Sequence, residues 1–339
     1  MPKSFSLRRE KKFTILKYVV FILVFLAFSL WYLLLGPSRE LSGVAYNRNL
    51  NAVWAEHAWV DSPRTVAEVR EFVQQLARHG VKYVFLHVGP IESDGFIPVE
   101  RYSRLGEFLS VARTYGDRIV FLPWMGQLRS KLPLDRIEVR RNIVSTSKRF
   151  IEEYGMAGLH LDIEPIVSGD SDFLFLLEDL KMAMGSDKIL SIALEEYVPH
   201  ALYRLASKFI EVNPFLSIQY VKKIDALADQ IAIMTYENSI RSPSLYRYFV
   251  RQEVIWMSRV LTHARLLIGL PTYDKASPTF YPEAENIRNG LLGVVDGLNS
   301  WKMKRGVFEG VSLYGSWTTD DREWKTFHDL FISQPLAEK

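Results

Sequence analysis

The stretch that decides the fold is Gly158-Leu159-His160-Leu161-Asp162-Ile163-Glu164-Pro165. Its side chains alternate: the aliphatic ones face one side, and His160, Asp162 and Glu164 face the other, which predicts one β-strand. Pro165 cannot donate a ladder hydrogen bond, so the strand is expected to end at Glu164. Carboxylates are costly to bury without partners, and barrel enzymes keep their chemistry at the carboxyl ends of strands. The stretch therefore predicts a strand with a functional end.

On both sides of this stretch, apolar runs of strand length alternate with amphipathic segments of helix length, which favours an α/β fold. The predicted strands are residues 52–59, 81–88, 118–124, 158–164, 188–195, 229–236, 265–271 and 310–314. The predicted helices are residues 65–79, 105–115, 135–154, 172–184, 201–210, 248–263, 283–298 and 321–331. Eight strands, each followed by a helix, predict a (β/α)8 TIM barrel. The alternative is an open doubly wound sheet, but no Gly-x-Gly-x-x-Gly follows any strand and there is no Walker motif.

Composition narrows the possible functions. The net charge is +3, but residues 1–40 alone carry +5, which leaves −2 for residues 41–339. The body of the protein therefore has no basic surface of the kind that binds nucleic acid. The sequence has no cysteine, which excludes disulfides, thiolate nucleophiles and Cys-ligated zinc.

The N-terminal segment has the pattern of a membrane anchor. Residues 18–35 are apolar or aromatic except for Ser29, and six cations precede them. This pattern predicts a cytoplasmic segment at 1–17, a transmembrane helix at 18–36, a linker at 37–50, an extracytoplasmic barrel at 51–333 and a tail at 334–339. Two alternatives are a cleaved signal peptide, which would make the protein secreted, and a buried soluble helix. The expected location is the cell membrane, crossed once.

Four strand ends resemble glycoside hydrolase family 18, the chitinase and endo-N-acetylglucosaminidase family. On the fourth strand the family pattern is Asp-Gly-x-Asp-x-Asp-x-Glu; Gly158, Asp162 and Glu164 match it, while Ala157 and His160 stand in place of the first two aspartates. On the sixth strand, Met234-Thr235-Tyr236-Glu237 resembles the family's Met-x-Tyr-Asp.

Strands seven and eight extend the resemblance to residues 50–330. Gly269-Leu270-Pro271-Thr272-Tyr273 is similar to the family's Gly-x-Pro-x-Tyr run. Tyr314 ends the eighth strand where the family usually has a tryptophan, and Trp317 is a candidate substitute for that tryptophan.

The resemblance implies a barrel that hydrolyses β-linked polysaccharide containing N-acetylglucosamine, with the substrate's own acetamido group replacing a protein nucleophile. It implies that Glu164 is the general acid and later the base. Asp162 would orient the acetamido group and raise the pKa of Glu164, and Tyr236 would hydrogen-bond the acetamido oxygen. It further implies substrate contacts from Glu237, Tyr273, Tyr314 and Trp317.

His160 replaces an aspartate that in the family shares a proton with the next one. A histidine here could hydrogen-bond Asp162, so we place His160 among the substrate-site residues. Trp54 and Trp124 lie near predicted strand ends, where an indole face could stack on a sugar ring. His57, His87 and His160 could in principle converge on a metal, but no metal-ligand spacing supports this, so no metal or other cofactor is expected.

Two alternatives remain open at the level of sequence. In the first, His160, Asp162 and Glu164 form a structural cluster in a barrel that binds glycan without cutting it. In the second, Glu164 is the acid of a two-carboxylate glycosidase from another barrel family, with Glu195, Glu196 or Glu237 as nucleophile or base.

Overall fold

The computed structural model describes residues 15–29, 32, 46–116, 118–197 and 216–332. The chain divides into two compact units, residues 1–40 and 41–339. In the first unit, helix α1 covers residues 15–29. Within the described ranges, no helix is both long enough and apolar enough to span a membrane. The predicted span 18–36 lies partly outside those ranges, and the predicted helix at 201–210 lies wholly outside them, so both stay predictions.

The second unit is a closed barrel of eight parallel strands, each paired with its neighbours in chain order, so the predicted (β/α)8 fold is confirmed. The strands are β1 (Asn51–Ala55), β2 (Val81–Pro90), β3 (Val120–Leu128), β4 (Gly158–Glu164), β5 (Ile189–Glu195), β6 (Gln230–Met234), β7 (Arg265–Pro271) and β8 (Phe308–Tyr314). The described helices are α2 (Ala58–Asp61), α3 (Val66–Arg78), α4 (Leu105–Tyr115), α5 (Ile137–Glu152), α6 (Ser171–Met184), α7 (Ile218–Asp225), α8 (Pro243–Val260), α9 (Ile287–Leu298) and α10 (Asp321–Phe327).

Local capping sets where several helices begin. Helix α3 starts with a capping box, in which the Thr65 side chain accepts from the Glu68 amide and the Glu68 carboxylate accepts from the Thr65 amide at 2.7 Å. Asp170 accepts from the Phe173 amide at the start of α6 in the same way. These contacts satisfy amides that the first helical turn leaves without partners.

Several strand boundaries differ from the sequence prediction, and the largest differences are at β1 and β3. Strand β1 ends at Ala55, and Trp59 lies in α2, where its ring stacks on Phe72 at 4.2 Å. Trp59 therefore packs in the helical layer. Strand β3 is longer than predicted, and its Leu128 pairs with Glu164 of β4.

The alternation along the strands produces two apolar layers. The odd-numbered aliphatic residues of β4 belong to the large cluster packed between barrel and helices. A smaller cluster fills the barrel interior and consists of Ala52, Trp54, Tyr83, Phe85, Leu122, Trp124, Ala232 and Leu267. The polar side chains of β4 point into the same interior, directly among these aromatic rings.

Gly158, the first residue of β4, lies unusually close to the backbone of β5. A Cβ atom at this position would lie 2.0 Å from the carbonyl oxygen of Ile189, with which Gly158 pairs on β5. Only glycine permits this approach of the two backbones.

Candidate active site

The centre of the site is the acid pair at the carboxyl end of β4. The side chains of Asp162 and Glu164 share a face and are joined by a hydrogen bond. Burial raises the pKa of Glu164 well above its usual range, and the neighbouring charge of Asp162 raises it further. Burial also raises the pKa of Asp162, but hydrogen bonds from Glu164 and Trp124 oppose this. These shifts favour a proton on Glu164 that is hydrogen-bonded to Asp162.

A hydrogen bond from Trp124 of β3 holds the side chain of Asp162 in place. Its indole Nε1 donates to Oδ2 of Asp162 at 2.7 Å. Gly126 pairs with Asp162, and a Cβ atom at Gly126 would lie 3.3 Å from the indole nitrogen, so the absence of a side chain leaves room for this contact. The other carboxylate oxygen, Oδ1, is buried and has no partner among the described protein donors. Asp162 thus has one oxygen held by the protein and one available to a ligand.

His160 lies below this pair and does not hydrogen-bond Asp162, contrary to the sequence expectation. It is fully buried, accepts from the Trp54 indole at Nε2 (3.1 Å) and contacts the Ser191 hydroxyl through Nδ1 (2.9 Å). Its ring stacks on Phe85 at 3.7 Å. Burial lowers its pKa well below the usual range, so the imidazole is neutral, with its proton on Nδ1 as the Trp54 contact requires.

Trp54 and His160 therefore belong to the floor of the barrel and are too buried to contact a sugar there, with exposures of 1% and 0%. The hydrogen bonds continue from Ser191 Oγ to Gln230 Oε1 and from Gln230 Nε2 to Glu309 Oε2, each at 2.9 Å. Tyr83 also donates to Glu309, at 3.1 Å. We call these six residues, Trp54, His160, Ser191, Gln230, Glu309 and Tyr83, the buried chain. Each donor in it finds an acceptor, as buried polar groups require.

Aromatic side chains from three strand ends lie beside the acid pair. The rings of Tyr236 and Tyr314 stack at 5.2 Å, and Tyr273 contacts both at 6.0–6.3 Å. Burial raises the pKa of Tyr236 well above its usual range, with further increases from Tyr314 and then the acid pair, so its hydroxyl remains a donor. Trp317, 40% exposed, packs edge-on against Tyr314 at 5.4 Å. The structure thus brings these four sequence-predicted residues together.

Glu237 is held by contacts that the sequence pattern did not reveal. It has a positive φ of 61°, which is unusual for a residue other than glycine. The Glu237 amide donates to Oε2 of Glu285 at 2.7 Å. The Tyr273 hydroxyl donates to Oε1 of Glu237 at 3.2 Å. Glu285 is a buried carboxylate that also accepts from the Ile240 amide, and it acts by fixing the loop after β6.

Glu195 ends β5, next to the acid pair. Its Oε1 accepts from the Ile166 amide at 2.9 Å, while its buried Oε2 has no partner among the described residues. Burial raises the pKa of Glu195 to about 7, and the charge of Asp162 also acts to raise it. Glu196, the next residue, influences buried Glu253 of α8 instead. Of these two residues, Glu195 is the one that interacts electrostatically with the acid pair.

The three histidines considered for a metal do not meet. His57 contacts Asp61 at 2.6 Å and lies 6.0 Å from His87, ring to ring, whereas His160 is enclosed between Trp54, Ser191 and Phe85. Across the described ranges, no three His, Asp or Glu side chains are placed to hold a metal ion.

Comparison with known proteins supports the fold assignment. No protein-family model and no curated protein sequence matches the chain. Among solved structures, the C-terminal domain of a putative chitinase from Desulfitobacterium hafniense superposes with a TM-score of 0.61 at 14% identity, covering 86% of this chain and 99% of that one. The spore cortex-lytic enzyme SleL of Bacillus cereus gives 0.58 at 12% identity, covering 86% and 76%.

A family 18 chitinase from Cycas revoluta, solved with (GlcNAc)4, also gives a TM-score of 0.58, at 14% identity and covering 83% of this chain and 99% of that one. At these identities the likeness shows the fold. The chain therefore has a (β/α)8 barrel of the kind found in glycoside hydrolase family 18, and the resemblance seen in the sequence is confirmed at that level.

Proposed function

We propose that the protein is a glycoside hydrolase that cleaves β-linked polysaccharide containing N-acetylglucosamine, by a retaining mechanism in which the substrate's acetamido group is the nucleophile. The observation that carries this proposal is the buried, hydrogen-bonded acid pair at the end of β4, in which burial and Asp162 raise the pKa of Glu164. A general acid must hold its proton at working pH, and an oxazolinium-like intermediate needs a nearby negative charge.

Each step has a residue to perform it. Glu164 donates its proton to the glycosidic oxygen as the bond to C1 breaks. The acetamido oxygen attacks C1 from the other face, oriented by the Tyr236 hydroxyl. The free Oδ1 of Asp162 accepts the acetamido N–H, whose positive character grows as the ring closes. Glu164, now a carboxylate, then takes a proton from the water that opens the ring, which restores the starting state and retains the anomeric configuration.

A second candidate is a two-carboxylate glycosidase, favoured by one observation: Glu195 has a free buried oxygen next to the pair. In that mechanism Glu195 would attack C1 or activate water, and no acetamido group would be needed. Its hydrogen bond to the Ile166 amide and its raised pKa make it a weak nucleophile at neutral pH.

We also propose that residues 18–36 anchor the protein in the cell membrane, with residues 1–17 in the cytoplasm and the barrel outside. The support is the apolar run and its cationic flank. N-terminal sequencing of the mature protein, together with carbonate extraction of membranes, tests this. A cleaved N-terminus would indicate secretion instead.

Hydrolysis of N-acetylglucosamine oligomers by wild type and Glu164→Gln tests the catalytic proposal. Wild type is expected to release shorter N-acetylated products. Glu164→Gln keeps the shape of the side chain but has no acidic proton, so turnover should fall by at least about 10²-fold while oligomer binding persists. If the wild type binds oligomers without cleaving them, the protein is a glycan-binding barrel and not a hydrolase.

A further inference from the structure

The mouth of the barrel has carboxyl side chains without matching basic ones. Asp162, Glu164, Glu195 and Glu237 come from three consecutive strand ends, and the other three all act to raise the pKa of Glu164. None of the four forms an ion pair with any described Lys, Arg or His side chain. A neutral N-acetylated sugar brings no positive charge to these carboxyl groups.

Glu195 supplies a second, independent observation. The residue is 6% exposed, and its Oε2 has no hydrogen-bond partner among the described residues. Its backbone is fixed in β5 opposite Met234, and Oε1 is held by the Ile166 amide, so the carboxyl plane cannot easily turn to find another donor. A buried carboxyl oxygen without a donor is unfavourable, and a ligand donor would remove that cost.

We propose that Glu195 binds the protonated amine of a glucosamine unit, so that the preferred glycan is partly deacetylated. This rests on the proposed function. The cleaved unit must keep its acetamido group for substrate assistance, so the amine belongs to another unit of the same chain. An ammonium group brings three donors and one positive charge to an oxygen that lacks both.

The electrostatics of Glu195 are consistent with this role. Burial and the nearby charge of Asp162 raise its pKa to about 7, and a bound cation would lower it by favouring the carboxylate. Binding of an amine near pH 6 should therefore release a proton from Glu195. A purely structural carboxyl would show no such linkage.

Calorimetry with two tetrasaccharides tests the proposal. The probes are (GlcNAc)4 and GlcN(GlcNAc)3, whose single glucosamine unit leaves three acetamido groups for the contacts with Asp162 and Tyr236. All full-length proteins carry Glu164→Gln to block turnover, with or without Glu195→Gln. Glu71→Gln serves as the matched control, since Glu71 lies on the exposed face of α3.

The parent is expected to bind GlcN(GlcNAc)3 about 10-fold more tightly than (GlcNAc)4, since a charge-assisted hydrogen bond typically has this effect. Glu195→Gln should remove that preference without weakening (GlcNAc)4, and should reduce the proton release seen in buffers of different ionisation enthalpy. Glu71→Gln should change neither value.

Equal binding of the two probes by the parent overturns the proposal and leaves the hydrolase function standing. Equal weakening of both probes by Glu195→Gln also overturns it, because that result makes Glu195 structural. Failure of both probes to bind overturns this proposal and the proposed function together.

Discussion

The indole Nε1 of Trp124 donates to Oδ2 of Asp162 at 2.7 Å, across the β3–β4 pairing. In the family 18 pattern, a second aspartate occupies the place of His160 and shares a proton with the residue that corresponds to Asp162. Here His160 is neutral and bonded elsewhere. Among the described residues, Trp124 and Glu164 hydrogen-bond the Asp162 side chain, and both bonds favour its charged form.

Trp124→Phe removes this donor and keeps an aromatic ring. Because the hydrogen bond lowers the pKa of Asp162, its loss should move the acid limb of the kcat/KM profile about one pH unit upward and reduce kcat roughly 10-fold. Profiles of N-acetylglucosamine oligomer hydrolysis measure this. Trp301→Phe, at an 89% exposed site, should match wild type. An unshifted acid limb in Trp124→Phe would show that Asp162 does not depend on the indole.

Ser191→Ala breaks the buried chain in the middle. It leaves the His160 Nδ1–H and the Gln230 carbonyl oxygen without their partner, so the free energy of unfolding should fall by about 1–3 kcal/mol. Urea denaturation measures the change, and the acid limb of the pH profile should stay in place. Ser110→Ala, on an exposed position of α4, should fall within about 0.5 kcal/mol of wild type. A shifted acid limb in Ser191→Ala would connect the buried chain to Asp162, against our account.

The face of β4 was predictable, but its partners were not. Period-two alternation places His160, Asp162 and Glu164 on one side of a strand, and Pro165 ends it, so strand and acid pair both follow from the sequence. Alternation does not say which neighbouring strand supplies a donor. Trp124 had no better signal than Trp54. Register pairs Trp124 with His160, yet its indole donates to Asp162, whereas the indole of Trp54 donates to His160.

Glu285 shows the same limit. Glu285 comes 48 residues after Glu237, in the segment before α9, and nothing local indicates that it accepts the Glu237 amide. The end of β1 was misplaced for a different reason: apolar residues resume at Ala58 and Trp59, but Ala58–Asp61 forms a helix in which Trp59 packs, partly buried, on Phe72 of α3. A short apolar run has the same sequence pattern whether it is buried in a helix or in a strand.

Gly158→Ala tests the tight packing of β4 on β5. A Cβ atom 2.0 Å from the Ile189 oxygen requires the strands to separate, so the free energy of unfolding should fall by at least about 3 kcal/mol, or the protein should fail to fold. Gly306→Ala is the control, since nothing lies within 4 Å of a Cβ atom there. Near-native denaturation of Gly158→Ala would contradict the observed register.

Glu195→Gln should flatten the dependence of stability on pH. The pKa of Glu195 is about 7 in the fold and 4.5 as its ordinary value, so the folded state keeps the proton longer than the unfolded state. Its contribution is complete below pH 4.5 and is lost as pH rises to about 7, by at most about 3 kcal/mol. Thermal or urea unfolding of wild type and Glu195→Gln at pH 4–8 measures the difference. Parallel curves would show that Glu195 ionises normally.

The most direct test of the central claim uses aryl glycosides whose 2-acetamido group carries zero, one, two or three fluorine atoms. Fluorine weakens the acetamido oxygen as a nucleophile and leaves the two protein carboxyls unchanged. If that oxygen attacks C1, kcat/KM should fall steadily along the series, by at least about 10-fold from acetyl to trifluoroacetyl. A kcat/KM that is unchanged across the series, with the compounds still cleaved, would contradict substrate assistance and point to a protein carboxylate such as Glu195 as the nucleophile.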